Sequence, residues 1–103
     1  MVDIQGQWLG KMPLEGGNDC RLRIFPTGSF DLECRGQTTY AARGNWKQGD
    51  DNLEMKFSFF TKNGEHPKKL PDPWLLNVKA GRNELNVGGP NESGYPYKWK
   101  RTL

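Results

Sequence analysis

The sequence predicts an all-β chain, an eight-stranded antiparallel up-and-down barrel, and three observations carry that prediction. Apolar and polar residues alternate with a period of two in segment after segment, and no segment shows the 3.6-residue period of a capped helix. Short clusters of Gly, Pro, Asn and Asp separate these segments at hairpin-like spacing. One stretch, Cys20 to Arg35, also fixes its own pairing register. A flat sheet of eight strands would expose two edges, and closing it into a barrel removes them. Two packed sheets are the alternative architecture.

The chain of 103 residues is one domain, 1–103. Only 34% of it is hydrophobic, yet it holds four Trp, three Tyr and five Phe. Rings must therefore supply much of the core, since each can bury about 150–250 Å². Thirteen Gly and seven Pro suit many tight turns. A net charge of +3 gives mild attraction to anions and falls short of a dedicated nucleic-acid binder. No apolar run is long enough to span a membrane as a helix. The start, MVDIQGQW, has neither a basic n-region nor an apolar h-region, so no secretory leader is expected there. A mature exported fragment carrying an initiator Met fits the same residues.

The first strand is expected over Met1 to Met12, with Ile4, Gly6, Trp8, Gly10 and Met12 on one parity. A turn at Leu14-Glu-Gly-Gly-Asn18 follows. Strands two and three form the hairpin Cys20–Arg35 around Pro26-Thr27-Gly28, where Pro suits the first corner and Gly a positive φ. Phe25 then faces Ser29, and Ile24, Leu22 and Cys20 meet Phe30, Leu32 and Cys34 on one face. On the other face Arg23 meets Asp31 and Arg21 meets Glu33. A slip of one residue would turn every apolar side chain outward, so this register is strongly specified.

Arg35-Gly-Gln-Thr38 turns the chain into strand four, Thr39 to Lys47, with Tyr40, Ala42, Gly44 and Trp46 inward. Small residues there let strands approach closely or bend. After the turn Gln48–Asn52, strand five (Leu53 to Phe60) points Leu53, Met55, Phe57 and Phe59 inward, and Phe60 outward. Thr61–Pro73 is expected to be an irregular loop, the longest in the chain, because Pro67, Pro71 and Pro73 exclude a helix. Strand six, Trp74 to Lys79, places Trp74, Leu76 and Val78 on one face. A turn over Ala80–Asn83 leads to strand seven, with Leu85 and Val87 inward. The turn GGPNESG leads to strand eight, with Tyr95, Tyr97, Trp99 and Arg101 on one parity.

Gly6-Gln-Trp8 on the first strand, and Gly44-Asn-Trp46 followed by Leu53-Glu-Met55, resemble the G-x-W, turn, L-x-L pattern of small bacterial lipocalin-like domains. In lipocalins and their calycin relatives, a Trp from the first strand packs on an Arg from the last strand at the closed end of the barrel. The resemblance implies those roles for Trp8 and Arg101. A guanidinium over an indole is worth about 0.5–2 kcal/mol. The resemblance also implies a site for a small apolar molecule. This chain is shorter than most lipocalins and has no helix after its last strand, which argues against a large cavity.

The expected function is that of a non-enzymatic binding domain. Tyr40, Trp46, Phe57, Trp74, Tyr95, Tyr97 and Trp99 are the candidate ligand-binding rings, because Tyr and Trp tips need polar partners that a dry core lacks. The competing expectation is that these rings simply fill the barrel, as close-packed interiors do. A protein-interaction or inhibitor module is the alternative, using the outer face, Phe25 and Phe60 as anchors and the 61–73 loop with Lys62, His66, Lys68 and Lys69. A single-stranded nucleic-acid binder ranks third, with Tyr95, Tyr97 and Trp99 beside Lys98, Lys100 and Arg101.

No enzyme is expected, because no nucleophile, base and orienting group can be assembled in one place. No cofactor or metal site is expected either. Gly49-Asp-Asp-Asn52 lacks the spacing of a calcium loop, and Asp31 and Glu33 are engaged by arginines across the hairpin. Asn91-Glu-Ser93 matches a glycosylation acceptor in a turn. Cys20 and Cys34 face each other and suit either a disulfide, in a secreted or periplasmic protein, or two reduced core residues in a cytoplasmic one.

Overall fold

A computed structural model describes residues 4–11, 17–88 and 97–102. Eight antiparallel strands close into a barrel in strict neighbour order. They are β1 (Gly6–Gly10), β2 (Gly17–Ile24), β3 (Ser29–Gly36), β4 (Tyr40–Gln48), β5 (Asn52–Lys62), β6 (Trp74–Ala80), β7 (Glu84–Gly88) and β8 (Tyr97–Thr102). The closed barrel replaces the two-sheet alternative. β1 is shorter than the expected strand: Ile4, Gln5 and Lys11 lie outside it, and Met12 lies outside the described residues.

The β2–β3 hairpin has the predicted register at every pair. Ile24, Leu22 and Cys20 face Phe30, Leu32 and Cys34, all buried, while Arg23 faces Asp31 and Arg21 faces Glu33 on the outside. The turn closes through Phe25 N–H to the Ser29 carbonyl at 2.9 Å and Gly28 N–H to the Phe25 carbonyl at 3.1 Å. Both ion pairs form, with Arg21 Nη2 at 2.8 Å from Glu33 Oε2. Asp31 binds Arg23 through two nitrogens, and that hydrogen bonding, with the carboxylate's charge, raises the Arg23 pKa above its ordinary value. Cys20 and Cys34 are joined in a disulfide. Closing a loop of this length (separation 14) stabilises a fold by roughly 2–4 kcal/mol.

Strand five departs from simple alternation. Gly44 pairs with Phe57, but Arg43 pairs with Phe59, so Ser58 is an extra residue and a β-bulge. Gly44 permits it, because a Cβ there would overlap the Lys56 carbonyl oxygen. Beyond the bulge the parity reverses, which overturns two expectations. Phe60 turns inward opposite Ala42 and is only 8% exposed. Phe59 turns outward, where the Arg43 guanidinium lies 4.5 Å from its ring centre and the His66 ring meets it edge-on at 5.3 Å.

The loop after β5 is also more ordered than its composition suggests. β5 continues through Thr61 and Lys62, then reverses at Asn63-Gly64. Both have positive φ, 53° and 82°, as a type I′ turn requires. Lys62 and Glu65 exchange backbone hydrogen bonds across it, and Asn63 ties the turn to Thr39 through N–H to O at 2.7 Å.

Among the described residues the core is one cluster inside the barrel. Trp8, Leu32, Leu85 and Trp99 are completely buried within it. Phe57 sits at its ring-rich side, in edge contact with Phe30 at 5.8 Å, Phe60 at 5.8 Å and Trp74 at 5.0 Å. Tyr40 reaches this group through Phe60 at 5.9 Å. The bulge therefore decides which of two adjacent phenylalanines carries core energy. Phe60→Ala is expected to cost about 3–5 kcal/mol of stability, and Phe59→Ala about 1 kcal/mol or less. Urea denaturation of the two variants measures the difference, and the simple alternating pattern would give the reverse order.

Candidate functional site

One end of the barrel is shut by groups from both ends of the chain. Trp8 and Arg101 are register partners on β1 and β8, and the Arg101 guanidinium lies 4.4 Å from the Trp8 ring centre. The arrangement is locked by carbonyls. Trp8 Nε1 donates to Ile4 O at 2.8 Å, Arg101 Nη1 donates to Gln5 O, and Arg101 Nε donates to Arg82 O at 3.2 Å. Buried Ile4 thus plugs the end beneath Trp8.

Gly6 explains its place in the first G-x-W. Its φ of 126° turns the chain from the plug into β1, and a Cβ there would stand 2.8 Å from Arg101 Nη1. The second G-x-W serves the same end of the barrel. Gly44 accommodates the bulge, and Trp46 Nε1 donates to Phe25 O at 2.9 Å, fastening β4 to the hairpin turn.

The expected ligand-binding rings do not share one wall. Tyr40, Phe57 and Trp74 belong to the ring cluster described above, packed on one another. Trp46 lies at the shut end. Trp99 is 0% exposed, and its indole N–H meets no acceptor among the described residues. Tyr97 is half-buried at the start of β8, and Tyr95 lies outside the described residues. Of the other residues singled out, Phe25 is exposed near Arg23, whose guanidinium is 5.9 Å from the ring centre. Lys62, Lys68 and Lys69 are exposed. The Asn91-Glu-Ser93 turn lies outside the described residues.

A concavity of about 850 Å³ lies instead on the outer wall, along β1. Closure of the barrel builds it. Leu9 points outward from β1 with Lys100 of β8 on one side and Arg21 of β2 on the other, as register partners of both. Leu9 is 46% exposed and forms an apolar floor. Lys98 and Lys100 wall one side, and Arg21, Glu33 and Arg35 line the other. Lys11, Asp19 and Tyr97 line it as well.

Among the described lining residues there are five cations and two carboxylates. Arg21 and Glu33 neutralise each other across the β2–β3 ladder. That leaves Lys11, Arg35, Lys98 and Lys100 against Asp19, so the described lining of the groove carries a net positive charge. Its volume falls in the range of small-molecule sites, roughly 300–1,000 Å³. Sequence reasoning missed it because its walls come from opposite ends of the chain. The signal present was a lone apolar residue, Leu9, on an otherwise polar outward parity.

Among the described residues no group of His, Cys, Asp and Glu has the arrangement of a metal site. No protein-family model matches the chain, and no curated protein matches it.

The shut end depends on the glycine that faces Arg101. Gly6→Ala is expected to lower stability by about 1–3 kcal/mol, through backbone strain and displacement of the guanidinium. Urea denaturation measures the loss, and red-shifted Trp emission in the folded variant would report water reaching Trp8.

Proposed function

We propose that this protein is a non-enzymatic, lipocalin-like binding domain that takes a small, partly apolar ligand in the groove along β1 rather than in the barrel lumen. The observation that supports the reading is an outer concavity of ligand size beside a barrel whose inward rings Phe30, Phe57, Phe60 and Trp74 pack in edge contact. Phe57 packs edge-on against Phe60 and Trp74, whereas Leu9 offers unburied apolar surface between polar walls. The Trp8–Arg101 contact supports the lipocalin-like comparison. The disulfide Cys20–Cys34 fits a secreted or periplasmic setting, where such bonds persist.

A second reading, a protein-interaction module, is favoured by Leu70 and Leu75, two exposed leucines in and just after the segment that follows β5. Nucleic-acid binding through β8 has less support. Trp99 is buried and Arg101 is engaged on Trp8, so Tyr97 is the described β8 ring that reaches the surface.

Anilinonaphthalene sulfonate fluorescence tests the groove reading. The expected result is saturable enhancement that weakens roughly fivefold in Leu9→Gln, about the worth of burying the exposed half of one leucine side chain. Enhancement that is absent, or equal in wild type and variant, contradicts it.

A further inference from the structure

The groove has a chemical preference written into its walls, and the inference drawn from it rests on the groove being the binding site. We propose that its ligand is a free anionic amphiphile, of which an acyl carboxylate is the simplest member. Such a molecule has one anionic head and one short apolar chain.

The head is specified by charge. Lys98 and Lys100 stand on β8, Lys11 lies just past the end of β1, and Arg35 stands on β3, opposed among the described lining residues by Asp19 after the Arg21–Glu33 pair is set aside. A cationic ligand would meet repulsion from both walls. A neutral one would leave the excess charge uncompensated.

The chain is specified by the floor. Leu9 is nearly half exposed, and its register partners Lys100 and Arg21 flank it with long aliphatic stems. Lys and Arg lay such stems along apolar surface while their charged heads reach water. A straight alkyl chain lying along β1 would thus be bounded by methylene groups, with cations above them to meet its head.

Size selects the source. A concavity of about 850 Å³, open to solvent on its outer side, has room for one small molecule. An acidic protein surface would need a broad, standard-size interface, and a bilayer needs a cationic face open to a plane. Here the cations line a concavity around a single leucine.

The test compares three eight-carbon probes that share a chain and differ in head: octanoate, octan-1-ol and octylammonium. Each is titrated into the isotopically labelled, disulfide-intact protein and followed by amide chemical shifts. Octanoate is expected to perturb Leu9, Lys98 and Lys100 and to bind roughly tenfold tighter than octan-1-ol, a difference of about 1.4 kcal/mol. Octylammonium is expected to bind more weakly than either. Lys98→Gln with Lys100→Gln should weaken octanoate roughly fivefold and leave octan-1-ol unchanged, whereas Lys56→Gln, on the outer face of β5, should leave both unchanged.

Equal binding of octanoate and octan-1-ol overturns the anionic preference while leaving the groove as the site. Lys56→Gln weakening octanoate as much as the β8 pair also overturns it, since the effect would then be general charge. Shifts confined to the inward residues Leu85 and Val87, or no shifts with any probe, overturn the groove reading and this inference together.

Discussion

A guanidinium lying over an indole holds the two ends of this chain together. Arg101 and Trp8 are far apart in sequence, yet their strands are hydrogen-bonded neighbours and their side chains share one end of the barrel. Without that seam, β1 and β8 would each expose an edge with unpaired N–H and C=O groups. The contact adds about 0.5–2 kcal/mol of cation–π attraction, and the same guanidinium donates hydrogen bonds to the carbonyls of Gln5 and Arg82. An Arg is suited to this where a Lys is not, because one planar group can stack on a ring and still direct separate N–H bonds in its own plane.

The same seam creates the outer groove. Strand pairing that puts Trp8 against Arg101 on the inside puts Leu9 against Lys100 on the outside, one residue along. The interior side of the seam is the buried Trp8 indole beneath the Arg101 guanidinium. The exterior side is a leucine between cationic walls. The groove and the closure are therefore not separate designs in this protein. Both follow from the register of one pair of strands, read on its two faces. Loosening the seam would disturb the plug and the groove at once.

Much of this was legible in the sequence because period-two alternation is a strong constraint. The Cys20–Arg35 stretch admits one register, and each pair expected from it is present, down to the arginine–carboxylate pairs; the facing cysteines, which suited either redox state, are bonded. The strand order followed from turn chemistry. Three features resisted. The Ser58 bulge inverted Phe59 and Phe60, since an extra residue in one strand cannot be read without knowing its partner; Gly44 was the only hint, and it lies on the other strand. The Asn63-Gly64 reversal was visible as a dipeptide but was masked by the prolines that follow it. The groove was not legible, because it joins β8 to β1, β2 and β3, and that adjacency exists only after the sheet has closed.

Central to this account is that Trp8 and Arg101 act as a unit across the seam. A double-mutant cycle with Trp8→Leu, Arg101→Met and the combined variant, each measured by urea denaturation, isolates that coupling. The account predicts an interaction energy of about 1–2 kcal/mol between the two sites. Additive losses, within about 0.3 kcal/mol, would contradict it.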